Sequence, residues 1–213
     1  GLWINYEMPW ADTSDWTLLN ALRNQAALRG DDIYCRFSQG TSCTFRELDS
    51  ASDACATGLA RYGVGPEDRV LIAATNSFEF LVAFFATQKR RAILVPVNTE
   101  LRGSLLAHQI RNSRPKVIIA ERDLTEDQES DVLESVVAHI GIPGAIPTLV
   151  PLQIGTFAEL CDETDPKMLL APRPRDICLV LYTSGTSGPS KGVQIPQAHA
   201  YLFGLQQARA LSV

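Results

Sequence analysis

The sequence contains no Cys-x-x-Cys pair, no two histidines at metal-ligand spacing and no run of eighteen apolar residues. Each absence removes a class of protein. The five cysteines, Cys35, Cys43, Cys55, Cys161 and Cys178, are dispersed and odd in number, which argues against a disulfide framework and for reduced thiols in a cytoplasmic protein. Cys55 and Cys178 fall in apolar patterns and are expected in the core. The three histidines, His108, His139 and His199, build no metal site, and none is expected. Without a long apolar run there is no candidate membrane span, and no basic start precedes an apolar signal core. Positive charge is also scarce. Nineteen Lys and Arg against 24 Asp and Glu give a net charge of −5 and a pI near 5.2, which argues against a nucleic-acid-binding surface. There is no internal repeat. The first residue is Gly1, so a preceding tag or omitted segment is expected.

What is present is enough for a buried core. The 213 residues are 46% apolar and 20% charged, the balance of one large or two small globular domains. Residues 1–14 read as an arm with Trp3, Tyr6 and Trp10. Ser14 or Asp15 is the expected cap of a helix reaching about Leu28, with Leu18, Leu19, Leu22 and Ala26 on one side and Gly30 at its end. Ile33 to Phe37 reads as a strand. Thr44-Phe45-Arg46-Glu47 is a capping box opening a helix to Tyr62. Strands are expected at Arg69–Thr75, Ala92–Val95 and Lys116–Ala120. Helices are expected after Asn76 or Ser77 and over about Arg102–Asn112. Lys89-Arg90-Arg91 is expected to complement the negative end of the first of these. Residues 121–134 hold seven acids against one arginine. Val132, Leu133, Val136, Val137 and Ile140 behind them fit a helical stripe, with the acids as its wet face. Thr156–Cys161 reads as a short helix. Alternating strands and helices imply α/β architecture, a mostly parallel sheet flanked by helices. Ligands of such sheets bind outside the carboxyl ends of the strands.

The chemistry concentrates in Tyr182-Thr183-Ser184-Gly185-Thr186-Ser187-Gly188-Pro189-Ser190-Lys191-Gly192. An apolar run, Ile177 to Leu181, precedes it and reads as a buried strand. Glycines at 185, 188 and 192 permit unusual dihedrals and close approach of a ligand. Thr183, Ser184, Thr186, Ser187 and Ser190 supply hydroxyls, and Lys191 one ammonium. Backbone N–H groups, hydroxyls and a lysine after a strand suit a polyphosphate. The stretch is not a Walker A loop, because Ser190 stands where that pattern needs glycine and Gly192 follows the lysine. A flexible Gly/Ser linker is the bland alternative, and for Lys191 a solvated surface lysine. The strand before the loop and the apolar periodicity after it argue against a linker.

This stretch resembles the phosphate-binding signature of the adenylate-forming superfamily, with Ser187 where threonine is usual. The likeness extends along nearly the whole chain. Thr44-Phe45-Arg46-Glu47-Leu48 and the turn Gly63-Val64-Gly65-Pro66-Glu67-Asp68-Arg69-Val70 resemble family elements. Pro96-Val97-Asn98 resembles acyl-CoA ligases of the crotonobetaine/carnitine-CoA type more than amino-acid-activating domains. Arg91 stands where the family usually has glycine. Pro196-Gln197 replaces the usual Thr-His, and His199 receives no role.

The resemblance implies the N-terminal part of the large domain of a longer adenylate-forming enzyme: an α/β subdomain over 15–176 and the start of the next over 177–213, carrying loop 182–192. It implies an acid–thiol ligase that uses ATP and Mg²⁺ to make acyl-AMP from a small carboxylic acid, then passes the acyl group to CoA. Thr183, Ser184, Gly185, Thr186, Ser187, Gly188 and Lys191 would hold the phosphates. The catalytic lysine is expected beyond Val213, and a homodimer is an allowed assembly. An acyl-AMP ligase loading a carrier protein, and a nucleotide-binding α/β module without chemistry, are the alternatives.

Overall fold

The computed structural model describes residues 13–38, 40–124, 128–142, 153–183 and 189–210. The expected arm at 1–14 lies mostly outside them. Helix α1 (Leu18–Arg29) leads to a two-stranded sheet of β1 (Ile33–Arg36) and β2 (Ser42–Thr44). Its cap is Thr17, whose Oγ1 accepts from Asn20 N at 3.1 Å, rather than Ser14 or Asp15; Thr13–Asp15 form a 3₁₀ turn instead. The capping box of α2 (Phe45–Arg61) is present as read. Thr44 Oγ1 accepts from Glu47 N at 3.1 Å, and Glu47 Oε2 accepts from Thr44 N at 2.8 Å. Ser77 caps α3 (Phe78–Lys89).

Among the described residues seven strands make the main sheet: β3 (Arg69–Ala73), β4 (Ile93–Pro96), β5 (Val117–Ala120), β6 (Ala138–Gly141), β7 (Gln153–Thr156), β8 (Ile177–Thr183) and β9 (Lys191–Pro196). Their order is β7-β6-β5-β3-β4-β8-β9, and only β9 runs antiparallel to its neighbour. β8 joins at Leu94↔Leu179, so part of the 177–213 stretch hydrogen bonds into the same sheet. Side chains alternate across the sheet, as period two requires. Val70 and Ile72 face α1, α2 and α3 through Leu19, Leu48, Cys55, Leu59 and Val82. Leu71 and Ala73 face α4 (Gly103–Ser113) through Leu106 and Ile110. Each fully buried Leu or Ile contributes about 1.5–3 kcal/mol. The described residues also hold the short helix α5 (Phe157–Leu160) and the long α6 (Gln197–Ala210).

Residues 132–140 correct the helical reading. Ser130–Leu133 is a 3₁₀ turn and Ala138–Gly141 is β6, which is buried throughout and parallel to β5. Val132 and Val136 are buried as expected, but from an irregular segment packed near α4. The acids are not all simply solvated: Asp131 Oδ2 accepts from Arg111 Nη2 at 2.9 Å.

The basic triplet at the end of α3 also does more than complement a helix terminus. Lys89 is fully buried, and its Nζ donates to Asp49 O at 2.7 Å, Asp49 Oδ1 at 2.6 Å and Asp53 Oδ1 at 2.6 Å, tying α3 to α2. Arg91 takes φ 54°, a left-handed conformation that explains why glycine suits this place. Its guanidinium reaches the residue before β8, with Nε donating to Asp176 Oδ2 at 2.9 Å and Nη2 to Oδ1 at 3.3 Å. Arg173 N and Nε donate to the same carboxylate at 2.8 and 2.9 Å.

Burial pushes the Asp176 carboxyl up, but the hydrogen bonds from Arg91 and Arg173 together hold it well below the usual carboxylate range. Its folded pKa therefore lies beneath its unfolded value of about 3.9. The stability it contributes is complete above that value and is lost as pH falls toward the folded pKa. Asp176→Asn is expected to cost about 1.5 kcal/mol at neutral pH, the low end for bonds to a charged group because Arg173 is half exposed. Denaturant titrations of both proteins from neutral to acid pH should converge. A gap that widens as pH falls would contradict this account.

Candidate nucleotide-phosphate site

The glycine-rich stretch is the connection of a β-hairpin. β8 and β9 pair in register Leu181↔Val193, Tyr182↔Gly192 and Thr183↔Lys191. Of the expected phosphate-binding residues, Thr183 and Lys191 are placed opposite each other at the mouth of the connection, and both are exposed. Ser184, Gly185, Thr186, Ser187 and Gly188 lie outside the described residues. No residue among those described bonds the Lys191 ammonium. β8 runs parallel to β4, so the connection leaves a carboxyl end, where ligands of such sheets bind.

One sequence reading is corrected here. β8 is not a buried strand: only Cys178 is fully covered, and Leu181 is 38% exposed. The segment after the loop begins with an exposed antiparallel strand, β9. Gly192 has no left-handed φ, so its value is steric. A Cβ there would lie 2.8 Å from Val180 Cγ1 and 3.4 Å from Tyr182 Cζ.

Helix α4 grips both stems of the hairpin. Tyr182 Oη donates to Asn112 Oδ1 at 2.6 Å. His108 Nε2 donates to Ser190 O at 2.9 Å, and Gln109 Nε2 donates to Ser190 Oγ at 3.4 Å. A carbonyl only accepts, so this bond places a proton on His108 Nε2. Burial pushes the Tyr182 phenol up, so it stays a donor at neutral pH. Sequence reasoning missed His108, Gln109 and Asn112. Their one local signal is three polar side chains within one turn and a half, beside the apolar Leu106 and Ile110.

Elsewhere at carboxyl ends, Thr75 after β3 donates from N and Oγ1 to Glu121 Oε1 at 2.8 and 2.6 Å. Asn98 after β4 accepts from Glu100 N at 2.8 Å and shapes its own turn. A cavity of about 410 Å³ lies between the β3–α3 turn, through Asn76, Ser77, Phe80 and Leu81, and β1 with the residues after it, Cys35–Ser38. His199 is exposed on α6 beside Phe203. Among the described residues no group of three or more His, Cys, Asp or Glu is arranged to hold a metal ion. No described helix is long and apolar enough to cross a membrane.

A mostly parallel sheet with helices on both faces is an α/β architecture whose ligands bind outside the carboxyl ends of the strands, where this Gly/Ser/Thr-rich connection lies. The chain belongs to the AMP-binding enzyme family, whose model matches residues 22–212. These are adenylate-forming ligases of acyl and amino acids. The chain is 32% identical over 166 residues to medium/long-chain-fatty-acid–CoA ligase FadD6 of Mycobacterium tuberculosis, covering 78% of this chain and 27% of that protein. It is 29% identical over 178 residues to the fatty acid–[acyl-carrier-protein] ligase ScoC of Streptomyces coeruleorubidus, covering 81% and 31%. Its fold superposes on a candidate long-chain-fatty-acid CoA ligase of Rhodopseudomonas palustris with a TM-score of 0.74 and 26% identity, over 92% of this chain and 48% of that one. The chain thus spans from about a quarter to a half of the length of these relatives.

Proposed function

We propose that the protein containing this chain is an ATP-dependent acyl-CoA ligase, and that the Thr183–Lys191 connection holds the β- and γ-phosphates. The observation that carries this reading is the hairpin mouth, where an exposed lysine without a described partner faces an exposed threonine across a Gly/Ser/Thr connection. A carboxylate oxygen of the substrate attacks the α-phosphorus, the bond to pyrophosphate breaks, and acyl-AMP forms. The CoA sulfur then attacks the acyl carbon and AMP leaves. The chain's part is to orient the triphosphate and spread positive charge over the leaving pyrophosphate, which is catalysis by positioning and electrostatics. Thr183, Ser184, Gly185, Thr186, Ser187, Gly188 and Lys191 would make the contacts. Mg²⁺ would be held largely by the phosphates themselves, a habit of that ion. Likeness to FadD6 supports CoA as the acceptor.

Likeness to ScoC favours a second reading, in which a carrier protein takes the acyl group. The test uses the full-length protein. A carboxylic acid should stimulate exchange of labelled pyrophosphate into ATP, and CoA should then discharge the acyl-AMP. Discharge by a carrier protein and not by CoA selects the second reading. No carboxylate-dependent exchange across short, medium, long-chain and aromatic acids removes both.

A further inference from the structure

The β1–β2 sheet brings two thiols together that the proposed ligase chemistry does not use. Cys35 and Cys43 are register partners on antiparallel strands, and their Sγ atoms lie 3.6 Å apart. Directly opposed residues on antiparallel strands have Cα atoms about 4.5–5.5 Å apart, inside the 4.4–6.8 Å that a disulfide bridges. A disulfide brings the sulfurs to about 2.05 Å. We infer that Cys35 and Cys43 form a reversible disulfide site whose reactant is a hydroperoxide.

The two thiols differ in a way that sets their roles. Cys35 is half-buried, and it lines the open cavity shared with Asn76 and Ser77. Cys43 is 3% exposed, and burial, with the neighbouring Cys35 thiol, pushes its pKa up to about 12. Cys35 is therefore the sulfur a peroxide meets. Its thiolate attacks the terminal peroxide oxygen, the O–O bond breaks, and the departing hydroxide (alkoxide for an organic hydroperoxide) takes up the proton lost by Cys35 and leaves as water (or alcohol). Cys43 sulfur then attacks the sulfenic sulfur, the S–O bond breaks, and hydroxide leaves with the Cys43 proton as water. Two thiols give up two electrons and one peroxide accepts them.

The other cysteines are placed differently. Cys178 is fully buried and its Sγ donates to Ile195 O at 3.2 Å. Cys55 is fully buried against Cys161, and burial pushes its thiol well above the ordinary value. Neither stands opposite a second cysteine on a paired strand, as Cys35 and Cys43 do. Closing the Cys35–Cys43 bond would pin one wall of the cavity at the β3–α3 turn and the strand that leads directly into Thr44, the cap of α2.

The test is peroxide treatment of the full chain, alkylation without reduction, tryptic digestion and mass spectrometry. Arg36 and Arg46 allow trypsin to release the two cysteines on separate peptides. The expected product is those peptides joined, lighter by two hydrogens than their sum, and separated again by dithiothreitol. In Cys43→Ser the link should vanish and Cys35 should be trapped by dimedone as the sulfenic acid. The inference is overturned if both cysteines remain alkylatable at a dose that oxidises Met168, which is 44% exposed and serves as the internal gauge. It is equally overturned if the only link found is Cys55–Cys161, or if Cys35 passes to the sulfinic acid while Cys43 stays free.

Discussion

Lys89→Met is expected to destabilise the fold by about 3–5 kcal/mol, the cost of removing one partner from a buried ion pair. For a chain of this size that is a fall in Tm of about 6–20 °C. Lys89 is fully buried, and three hydrogen bonds to Asp49 and Asp53 satisfy its ammonium completely. Methionine fills similar space but leaves two carboxylates, one helical turn apart on α2, facing an apolar interface with no counter-charge. Those carboxylates are 25% and 28% exposed, so water softens the penalty and the lower half of the range is favoured. Asp49→Asn should cost less, because Asp53 still holds the ammonium. The triple variant Lys89→Met, Asp49→Asn, Asp53→Asn should recover much of the loss, since it removes the stranded charges along with the lysine. Thermal and denaturant unfolding of the single variants and of the triple variant measure this directly. A Lys89→Met change below about 1 kcal/mol, or purely additive effects, would show that the cluster is an ordinary surface contact.

Lys191→Ala should slow the adenylation half-reaction of the full-length enzyme about ten- to hundredfold, while leaving thioester formation from supplied acyl-AMP nearly unchanged. The asymmetry follows from the chemistry. The phosphates that the ammonium would neutralise leave as pyrophosphate, and acyl-AMP no longer carries them. One charge-assisted contact is worth about 1.5–3 kcal/mol, which converts to that rate factor. Lys191 is exposed at the first position of β9, and its backbone, not its side chain, makes the Thr183 pairing. Unfolding should therefore be unaffected by the substitution, which separates a phosphate role from a folding role. Lys191→Arg should rescue only in part, because a planar fork does not replace a compact ammonium in a tight loop. An unchanged ratio of the two half-reaction rates in variant and parent would remove Lys191 from the site.

How much of this was legible in the chain varies with how local the cause is. The capping box at Thr44 and Glu47 and the Ser77 cap are short-range chemistry, and both appear in the structure where the sequence puts them. β3, β4 and β5 were legible as apolar runs between breakers. β6 was not, because a strand buried on both faces loses its alternation, and Val132, Val136 and Ile140 happen to match helical spacing. β9 hides for a different reason: Gly192 and Pro196 are poor strand residues, tolerated at a sheet edge. At the candidate site the family motif marked the connection, but the helix that clamps it is about 80 residues upstream. His108, Gln109 and Asn112 meet Ser190 and Tyr182 only through the crossover of the sheet, and no window of sequence contains both sides.

The strand order has a consequence for synthesis on the ribosome. β4 is flanked by β3 on one side, but its other edge waits for β8, whose pairing residue Leu179 is translated 85 residues after Leu94. At about 5–20 residues per second, that edge stays open for about 4–17 s. Ile93, Leu94 and Val95 are 5%, 0% and 0% exposed in the finished fold. For those seconds they form an apolar strand with one edge unpaired, of the kind that templates misassembly. The nascent chain is therefore most vulnerable between the emergence of α4 and that of β8, and that interval is when a chaperone has a strand edge to hold.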